Sequence, residues 1–342
     1  MPRASSHSLA RLPQVAETWL IATTQLRLWL TPPGAAPHRP YLIFIVSMDT
    51  GMIRGHDLVD SEPAPGDVRK ALVQAMQSPP PGLGEPCRPK GVAVAVAAQA
   101  EALAQFFAAG RVEIDVFEAP VPDEVWQIVR ELEEHMRGGP EHPGYLSLKG
   151  VTPELAGGFY TAAADYYRAA PWVRLSNYQV LALRHPAERA YRYIIVMGQG
   201  GIEYGLAVYR RWQDVERMFT DDEPPIRMMP AGGVHSFSFE TIDKVPFDDL
   251  EAQQRHGWEV AAANAYPLAF IIDKGGVVRR PSAADLRWYE AALRAIPRLV
   301  RDDLKADGRG DYLPLETTLT VPTHAGEIEV AVKYPAGKLQ LA

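Results

Sequence analysis

Three carboxylate residues in the second half of the chain lie where predicted β-strands end, and together they could hold a metal ion. Glu240 and Asp243 follow the fourth predicted strand of this half, and Asp273 follows the fifth. Carboxylate oxygens are ligands for Mg²⁺, and two such ions about 3.5–4 Å apart assist the cleavage of phosphodiester bonds. The first predicted strand of this half, residues 178–183, carries no acid. We therefore favour turn formation and solvation as the roles of these acids, with a metal site as the alternative.

Two glycine-rich segments have the composition of phosphate-binding loops, but their surroundings favour simple turns. Residues 198–201, Gly-Gln-Gly-Gly, begin like a dinucleotide-binding motif, yet a predicted strand rather than a helix follows them. Residues 273–276, Asp-Lys-Gly-Gly, follow an apolar strand, and no helix is predicted directly after them. A phosphate site of this kind needs several backbone N–H groups that converge at a helix N-terminus. Arg279 and Arg280, a few residues further on, are the feature that leaves anion binding open.

The sequence lacks the short motifs that are typical of common cofactor-binding sites and catalytic nucleophiles. There is no Walker A motif, no His-Glu-x-x-His, no Cys-x-x-Cys and no Gly-x-Ser-x-Gly. These motifs mark, in turn, nucleotide, zinc, redox and hydrolase sites. We therefore expect no cofactor and no resident metal, and catalysis is not the favoured interpretation. The single cysteine, Cys87, excludes an internal disulfide and fits a cytoplasmic setting.

Aromatic residues crowd the helix predicted to open the second half. Tyr160 and Tyr167 are seven residues apart, so they share one helical face, and Trp172 follows the helix. The favoured interpretation is an apolar stripe that packs on a sheet. The alternative is a surface that contacts a partner, because tyrosine and tryptophan are frequent in interface hot spots.

Length and composition restrict the class of protein. The chain has 342 residues, enough for two domains, with 47% hydrophobic and 23% charged residues. Its net charge of −7 argues against general binding of nucleic acids, because phosphate binding needs a basic surface. The longest apolar runs, such as residues 41–48, have the length of a strand and not the roughly 20 residues of a membrane span. We expect a cytoplasmic protein without membrane or general nucleic-acid contacts.

Hydrophobic periodicity predicts an α/β protein with mixed sheets, in which one order of elements occurs twice. Three antiparallel strands in a meander are followed by helix, strand, helix, strand and helix in a first domain of residues 1–137. The same order recurs at about residues 176–304, after an opening helix, in a second domain of residues 151–305. Residues 138–150 are rich in glycine and proline, beginning Gly-Gly-Pro, and are predicted to be a linker. Residues 306–342 are predicted to form a β-hairpin that docks on a sheet edge of the second domain.

This order of elements resembles the ribonuclease H-like fold, and the resemblance implies particular positions for catalytic acids. Integrase-type members of that fold have a Trp-x-x-Asp pattern in the first strand, where this chain has Trp19-Leu20-Ile21-Ala22. After the fourth strand, where such proteins place an acid, this chain has Ala98. Asp49 lies in a predicted hairpin turn, which favours a role in the turn. The resemblance therefore predicts a first half that does not cleave nucleic acid.

The whole chain also resembles a family of bacterial two-domain proteins in which both halves are domains of unknown function. Motifs in both halves suggest this likeness, which extends over about residues 15–305. They are Arg39-Pro40-Tyr41 and Met48-Asp49-Thr50-Gly51, then Pro171-Trp172, Val196-Met197-Gly198, residues 204–209 and Gly257-Trp258. The resemblance implies no activity and no site. Our hypothesis is a non-catalytic binding or scaffold protein with an unidentified protein partner. The alternative is a divergent metal-dependent phosphodiesterase or nuclease that uses Glu240, Asp243 and Asp273.

Overall fold

The computed structural model divides the chain into two compact units, Met1–Glu141 and His142–Ala342. It describes residues 6–137, 141–220, 233–273 and 275–338. Each unit contains one sheet, of five strands in the first and eight in the second, together with several helices. The predicted mixed α/β class is thereby confirmed.

The first unit follows the predicted succession of a three-strand meander and then alternating helices and strands. Its elements are α1 (Ser6–Leu9), β1 (Gln14–Gln25), β2 (Tyr41–Ser47), β3 (Ile53–Val59), α2 (Pro65–Gln77), β4 (Arg88–Val94), α3 (Ala97–Gly110), β5 (Asp115–Glu118) and α4 (Asp123–Arg137). The strand order is β3-β2-β1-β4-β5, in which the pairs β2–β3 and β1–β2 are antiparallel. The pairs β1–β4 and β4–β5 are parallel, so the sheet is mixed.

Strand β2 is an interior strand that is buried on both faces, as its continuous apolar sequence predicted. Ile43 and Ile45 point into one core cluster, which includes residues of α2 and α3. Phe44 and Val46 point to the other face, where residues of α4 cover the sheet. Successive side chains of a strand alternate between faces, so a strand covered on both sides needs apolar residues at every position.

In the second unit, the described residues form more elements than in the first, arranged around one sheet. After a short 3₁₀-helix (Tyr145–Ser147) they are α5 (Pro153–Ala169), β6 (Leu181–Arg184), β7 (Arg192–Met197), β8 (Gly205–Tyr209), α6 (Trp212–Thr220), β9 (Val234–Glu240), α7 (Phe247–His256), β10 (Tyr266–Ile272), β11 (Val278–Arg279), α8 (Ala283–Arg298), β12 (Leu315–Thr323) and β13 (Gly326–Tyr334). The strand order is β11-β10-β9-β8-β7-β6-β13-β12.

The second half has the predicted order of elements, but its strands do not pair as in the ribonuclease H-like fold. That order would place β9 beside β6, the first strand of the meander, but β9 instead pairs antiparallel with β8 and β10. The free edge of β6 is occupied by β13, so no further strand can pair there. Every paired strand of this sheet runs antiparallel to its neighbour. The two halves therefore share an order of elements but not a topology.

Helices α5 and α8 cover one face of the second sheet and form the main core with it. Helix α5 begins as its sequence predicts, because the Thr152 hydroxyl accepts the backbone N–H of Leu155 and Pro153 occupies the first turn. A smaller cluster around Val215 of α6 covers part of the other face. None of the helices within the described residues is long and apolar enough to cross a membrane.

The predicted linker of residues 138–150 is too long. Residues 138–140 lie outside the described residues, but from His142 onward the chain belongs to the second unit. Tyr145 is fully buried in the core of that unit, and its hydroxyl accepts the backbone N–H of Ala269 at 2.9 Å. The glycines and prolines around this segment suggested a free linker, whereas one buried aromatic residue fixes it to the sheet.

Candidate functional site

The acids predicted as an alternative metal site do not converge. Strands β9 and β10 are antiparallel, with Glu240 paired to Tyr266 and Val234 paired to Ile272. Glu240 therefore lies at one end of this strand pair, and Asp273, which follows Ile272, lies at the other. At about 3.3 Å per residue, roughly 20 Å of strand separates them. The prediction that both acids could share a metal failed because it did not include the direction of strand pairing.

Asp273 and Glu240 have local structural roles instead. The Asp273 carboxylate accepts the backbone N–H groups of Gly275 and Val277 at 2.9 and 3.0 Å, which closes the turn after β10. Glu240 accepts the Ser238 hydroxyl at 2.8 Å, and Asp243 lies in a short 3₁₀-helix. In the part of the chain that the structure describes, no three His, Cys, Asp or Glu side chains are grouped to hold a metal ion.

Of the aromatic residues predicted as a contact surface, Tyr160 and Trp172 are core residues, and Tyr167 is half-buried against the same core. Tyr160 is fully buried, and its ring lies 5.0 Å from that of Trp258. Trp172 is 8% exposed and packs on Tyr204, while Tyr167 packs on Phe239. The favoured interpretation, an apolar stripe against the sheet, is therefore the right one, because the stripe meets aromatic residues of β9 and its neighbours.

At one end of the second sheet, a buried arginine joins two acids that are distant in sequence. Arg192, at the start of β7, has a side chain that is only 6% exposed. Its Nε–H donates to Glu188 at 3.0 Å and its Nη1 donates to Asp285 at 2.9 Å. Its guanidinium also lies 4.9 Å from the ring centroid of Trp288. Burial by itself lowers the pKa of Arg192, but hydrogen bonds and charge from Glu188 and Asp285 raise it overall.

Asp285 is held in its place by the start of α8. Ser282 and Asp285 form a capping box, in which the Ser282 hydroxyl accepts the backbone N–H of Asp285 and the carboxylate accepts the N–H of Ser282. Burial raises the pKa of Asp285, but hydrogen bonds from Ser282 and the charge of Arg192 lower it overall. Asp285 is therefore ionised at neutral pH and is the negative centre of this cluster.

His235 lies behind the same carboxylate without a hydrogen bond. It is 1% exposed, and its Nδ1 lies 3.6 Å from Asp285 Oδ1, while neither ring nitrogen has a hydrogen-bond partner among the described residues. Burial lowers its pKa to about 4; Asp285 opposes this effect, and nearby arginines including Arg192 and Arg210 add to it. The imidazole is therefore neutral at pH 7.

A cleft of about 320 Å³ opens beside this buried cluster. It is lined by Glu188, Arg189, Ala190, Tyr191, Arg192 and Arg210. The Arg210 side chain is 54% exposed and lies 3.5 Å from Asp285, whereas Arg189 is exposed without an ion pair among the described residues. Three arginines and one carboxylate thus line a concave surface on a chain of net charge −7. Such a surface attracts a small anion.

Sequence reasoning missed this cleft, although some of its parts have signals. The spacing Ser282-x-x-Asp285 is that of a capping box, and it could have placed the start of α8 and its acid. The contact of Arg192 with Asp285 joins residues 93 positions apart, so only the folded sheet reveals it. Of the two arginines named in advance for anion binding, Arg280 is buried in an ion pair with Asp249, and Arg279 does not line the cleft.

In the first unit, the positions expected for catalytic acids have no such role. Ala22 is buried opposite Phe44 of β2, and Ala98 is an exposed residue in the first turn of α3. Asp49 accepts the backbone N–H of Thr18 at 2.7 Å, so its carboxylate ties the β2–β3 turn to β1.

Comparison with known families assigns each half of the chain separately. Residues 5–130 match the family described as "Domain of unknown function (DUF6930)". Residues 157–306 match the family described as "Domain of unknown function (DUF7309)". No curated protein matches the chain. The second match covers β6 to α8, including the arginine cleft, and ends before the β12–β13 hairpin. The chain therefore contains a region that matches the DUF6930 family, followed by a region that matches the DUF7309 family.

Proposed function

We propose that this protein is a non-catalytic binding protein and that its second domain binds a small anionic ligand in the arginine cleft. The observation that carries the proposal is that Arg189, Arg192 and Arg210 all line one concave surface. Two of these guanidinium groups are exposed, and the third is buried and fixed by its own acids.

The charge distribution of the cleft supports an anion as its ligand. Glu188 and Asp285 both pair with Arg192, so its charge is fully compensated and the attraction for an anion rests on Arg189 and Arg210. Arg210 has only the 3.5 Å contact with Asp285, a carboxylate that Arg192 already shares. The guanidinium groups of Arg189 and Arg210 thus keep most of their hydrogen-bond donors for a ligand. Arginine is well suited to this task because its planar fork of donors matches carboxylate and phosphate oxygens.

The alternative of a metal-dependent phosphodiesterase has no support from the positions of its acids, which lie at opposite ends of a strand pair. A first domain of ribonuclease H-like type without nuclease activity remains part of our proposal, supported by the order of its elements and by Ala22. A bacterial cytoplasmic setting is also proposed, from the family resemblance and the single, buried Cys87.

Titration of the full chain with inorganic phosphate tests the proposal. A ligand that binds only the native state raises its stability, so we expect the Tm to rise with phosphate concentration at constant ionic strength. Arg210→Gln removes a charged donor worth about 1.5–3 kcal/mol, so it should weaken phosphate binding by roughly 10–100-fold.

The matched control is Arg309→Gln, which makes the same change of charge in an exposed loop residue outside the cleft. This variant should respond to phosphate as the natural chain does. A Tm that does not respond to phosphate, or an unchanged response in Arg210→Gln, would contradict the proposed function.

A further inference from the structure

The carboxylate on the wall of the arginine cleft points to a second chemical group in the ligand. Glu188 has a side chain that is 27% exposed, and it lines the cleft together with Arg189 and Arg210. Each of its two oxygens accepts one bond from Arg192. An ionised carboxylate has about four acceptor positions, so roughly half of the accepting capacity of Glu188 is left for other donors.

A bare anion leaves this capacity unused and is repelled by the negative charge of Glu188. A ligand that also carries a hydroxyl group can donate a hydrogen bond to the carboxylate while its anionic group binds the arginines. Tyr191, whose side chain carries a phenol hydroxyl, also lines the cleft. The polar groups of the cleft therefore match both an anion and neighbouring hydroxyl groups.

The size of the cleft fits a small molecule. Its volume of about 320 Å³ lies at the lower end of the roughly 300–1,000 Å³ typical of ligand pockets. Arg189 and Arg210 are separate guanidinium groups, and a tetrahedral dianion can accept hydrogen bonds from both of them through different oxygens. A planar carboxylate presents only two oxygens, so a phosphate group uses this pair of arginines more fully.

We propose that the ligand is a small phosphate monoester that carries a hydroxyl group, of the polyol-phosphate or sugar-phosphate class. Its phosphate lies between Arg189 and Arg210, and one of its hydroxyl groups donates to Glu188. This proposal rests on the proposed function of the cleft as an anion site, and it makes Glu188 the residue that determines specificity.

Calorimetric titration of the full chain with three probes tests the proposal. The probes are inorganic phosphate, propyl phosphate and glycerol 3-phosphate, of which only the last adds hydroxyl groups to a three-carbon ester. A hydrogen bond to a charged acceptor supports a preference of about tenfold for glycerol 3-phosphate over propyl phosphate. Glu188→Gln removes the repulsive charge, so inorganic phosphate should bind several-fold more tightly, while the preference for glycerol 3-phosphate shrinks.

The outcomes separate the two proposals. If none of the probes binds, the proposed function itself is wrong. If phosphate and propyl phosphate bind through Arg210 and the chain shows no preference for the hydroxyl-bearing ester, the cleft is an anion site but this inference is wrong. The comparison of esters in the natural chain requires no variant, so a folding defect in Glu188→Gln leaves the test intact. Arg309→Gln should leave the ratio of the two affinities unchanged.

Discussion

At the scale of single residues, His235 shows how burial and neighbouring charges set the protonation of a group. The imidazole is almost completely enclosed, and its surroundings contain one carboxylate, Asp285, and the arginines Arg192, Arg210 and Arg279. Enclosure and the arginines disfavour a charged ring more strongly than Asp285 favours it. The folded protein therefore contains a neutral histidine that becomes more readily protonated when the chain unfolds.

This setting predicts a specific dependence of stability on pH. The pKa of His235 is lowered from 6.5 to about 4, so the unfolded chain binds the proton more tightly than the folded chain. The contribution of neutral, buried His235 to the free energy of unfolding is complete above pH 6.5 and is lost as the pH falls toward 4. Between pH 7.5 and 5 the loss from this group amounts to about 2 kcal/mol of unfolding free energy.

The measurement is urea-induced unfolding of the natural chain and of His235→Leu at both pH values. The variant lacks the titrating group, so its free energy of unfolding should fall by about 2 kcal/mol less than that of the natural chain. Equal losses in the two proteins would show that His235 is not a neutral buried group.

Local roles of residues could be predicted from the sequence, whereas contacts across the sheet could not. The turn role of Asp273 follows from its position after an apolar strand and before glycines, and the structure shows its carboxylate bonded to two backbone N–H groups of that turn. The cluster of Arg192, His235 and Asp285 joins three elements that are far apart in the chain. Each of these residues alone looks like an ordinary polar residue at the end of an element.

At the scale of elements, the pairing of neighbouring strands could be predicted from the sequence, whereas the pairing of distant strands could not. The apolar run of β2 and the Asp49-Thr50-Gly51 turn predicted a hairpin, and β2 does pair with β3. Strand β9 was also predicted as a strand, but its neighbours were not. Its place depends on β13, which occupies the edge of β6 although it lies about 150 residues later in the chain. The sequence predicted that the C-terminal hairpin docks on an edge of this sheet, but local periodicity did not identify β6 as that edge.

The burial of β2 on both faces predicts a large effect of a single substitution. Phe44 is 2% exposed and packs between the sheet and α4. Its replacement by Ala should lower the free energy of unfolding by about 3–5 kcal/mol, because the side chain leaves a cavity as well as losing its burial.

Phe117→Ala in β5 is the matched control, since this residue is 45% exposed in the same unit. Urea titrations of both variants should give a much smaller loss for Phe117→Ala. A loss below about 1 kcal/mol for Phe44→Ala would mean that β2 is not enclosed on both faces.

At the scale of the whole molecule, the chain consists of two units whose cores are built separately. The two clusters of the first unit contain only residues between Leu9 and Leu132. The two clusters of the second unit contain only residues between Tyr145 and Ala336. The sequence predicted this division from length and from the glycine- and proline-rich segment near residue 140. It did not predict where the second core begins, because the buried Tyr145 lies among residues typical of a linker.

The boundary of the second unit can be tested by the stability of fragments. Tyr145 connects the start of this unit to a buried ion pair. Its backbone N–H donates to Asp249 at 2.6 Å, and the guanidinium of Arg280, which pairs with Asp249, lies 3.7 Å from the centroid of its ring. Both members of the pair have side chains that are 1% exposed. Without Tyr145, the Asp249–Arg280 pair would lose one hydrogen bond and the aromatic ring that covers the guanidinium. A buried charge that loses such partners lowers the free energy of unfolding.

We therefore expect a fragment of residues 142–342 to be more stable than a fragment of residues 149–342. The shorter fragment loses the ring of Tyr145, which is comparable to truncation of a buried aromatic residue and costs about 3–5 kcal/mol. It also loses the hydrogen bond of the Tyr145 hydroxyl with Ala269, which leaves a buried N–H group without its partner. Urea unfolding followed by tryptophan fluorescence measures the stability of both fragments under the same conditions.

Tyr145→Ala in the full chain should reproduce most of the difference in stability between the two fragments. Equal midpoints for the two fragments would instead show that residues 142–148 are a linker, and that the core of the second unit begins only at α5.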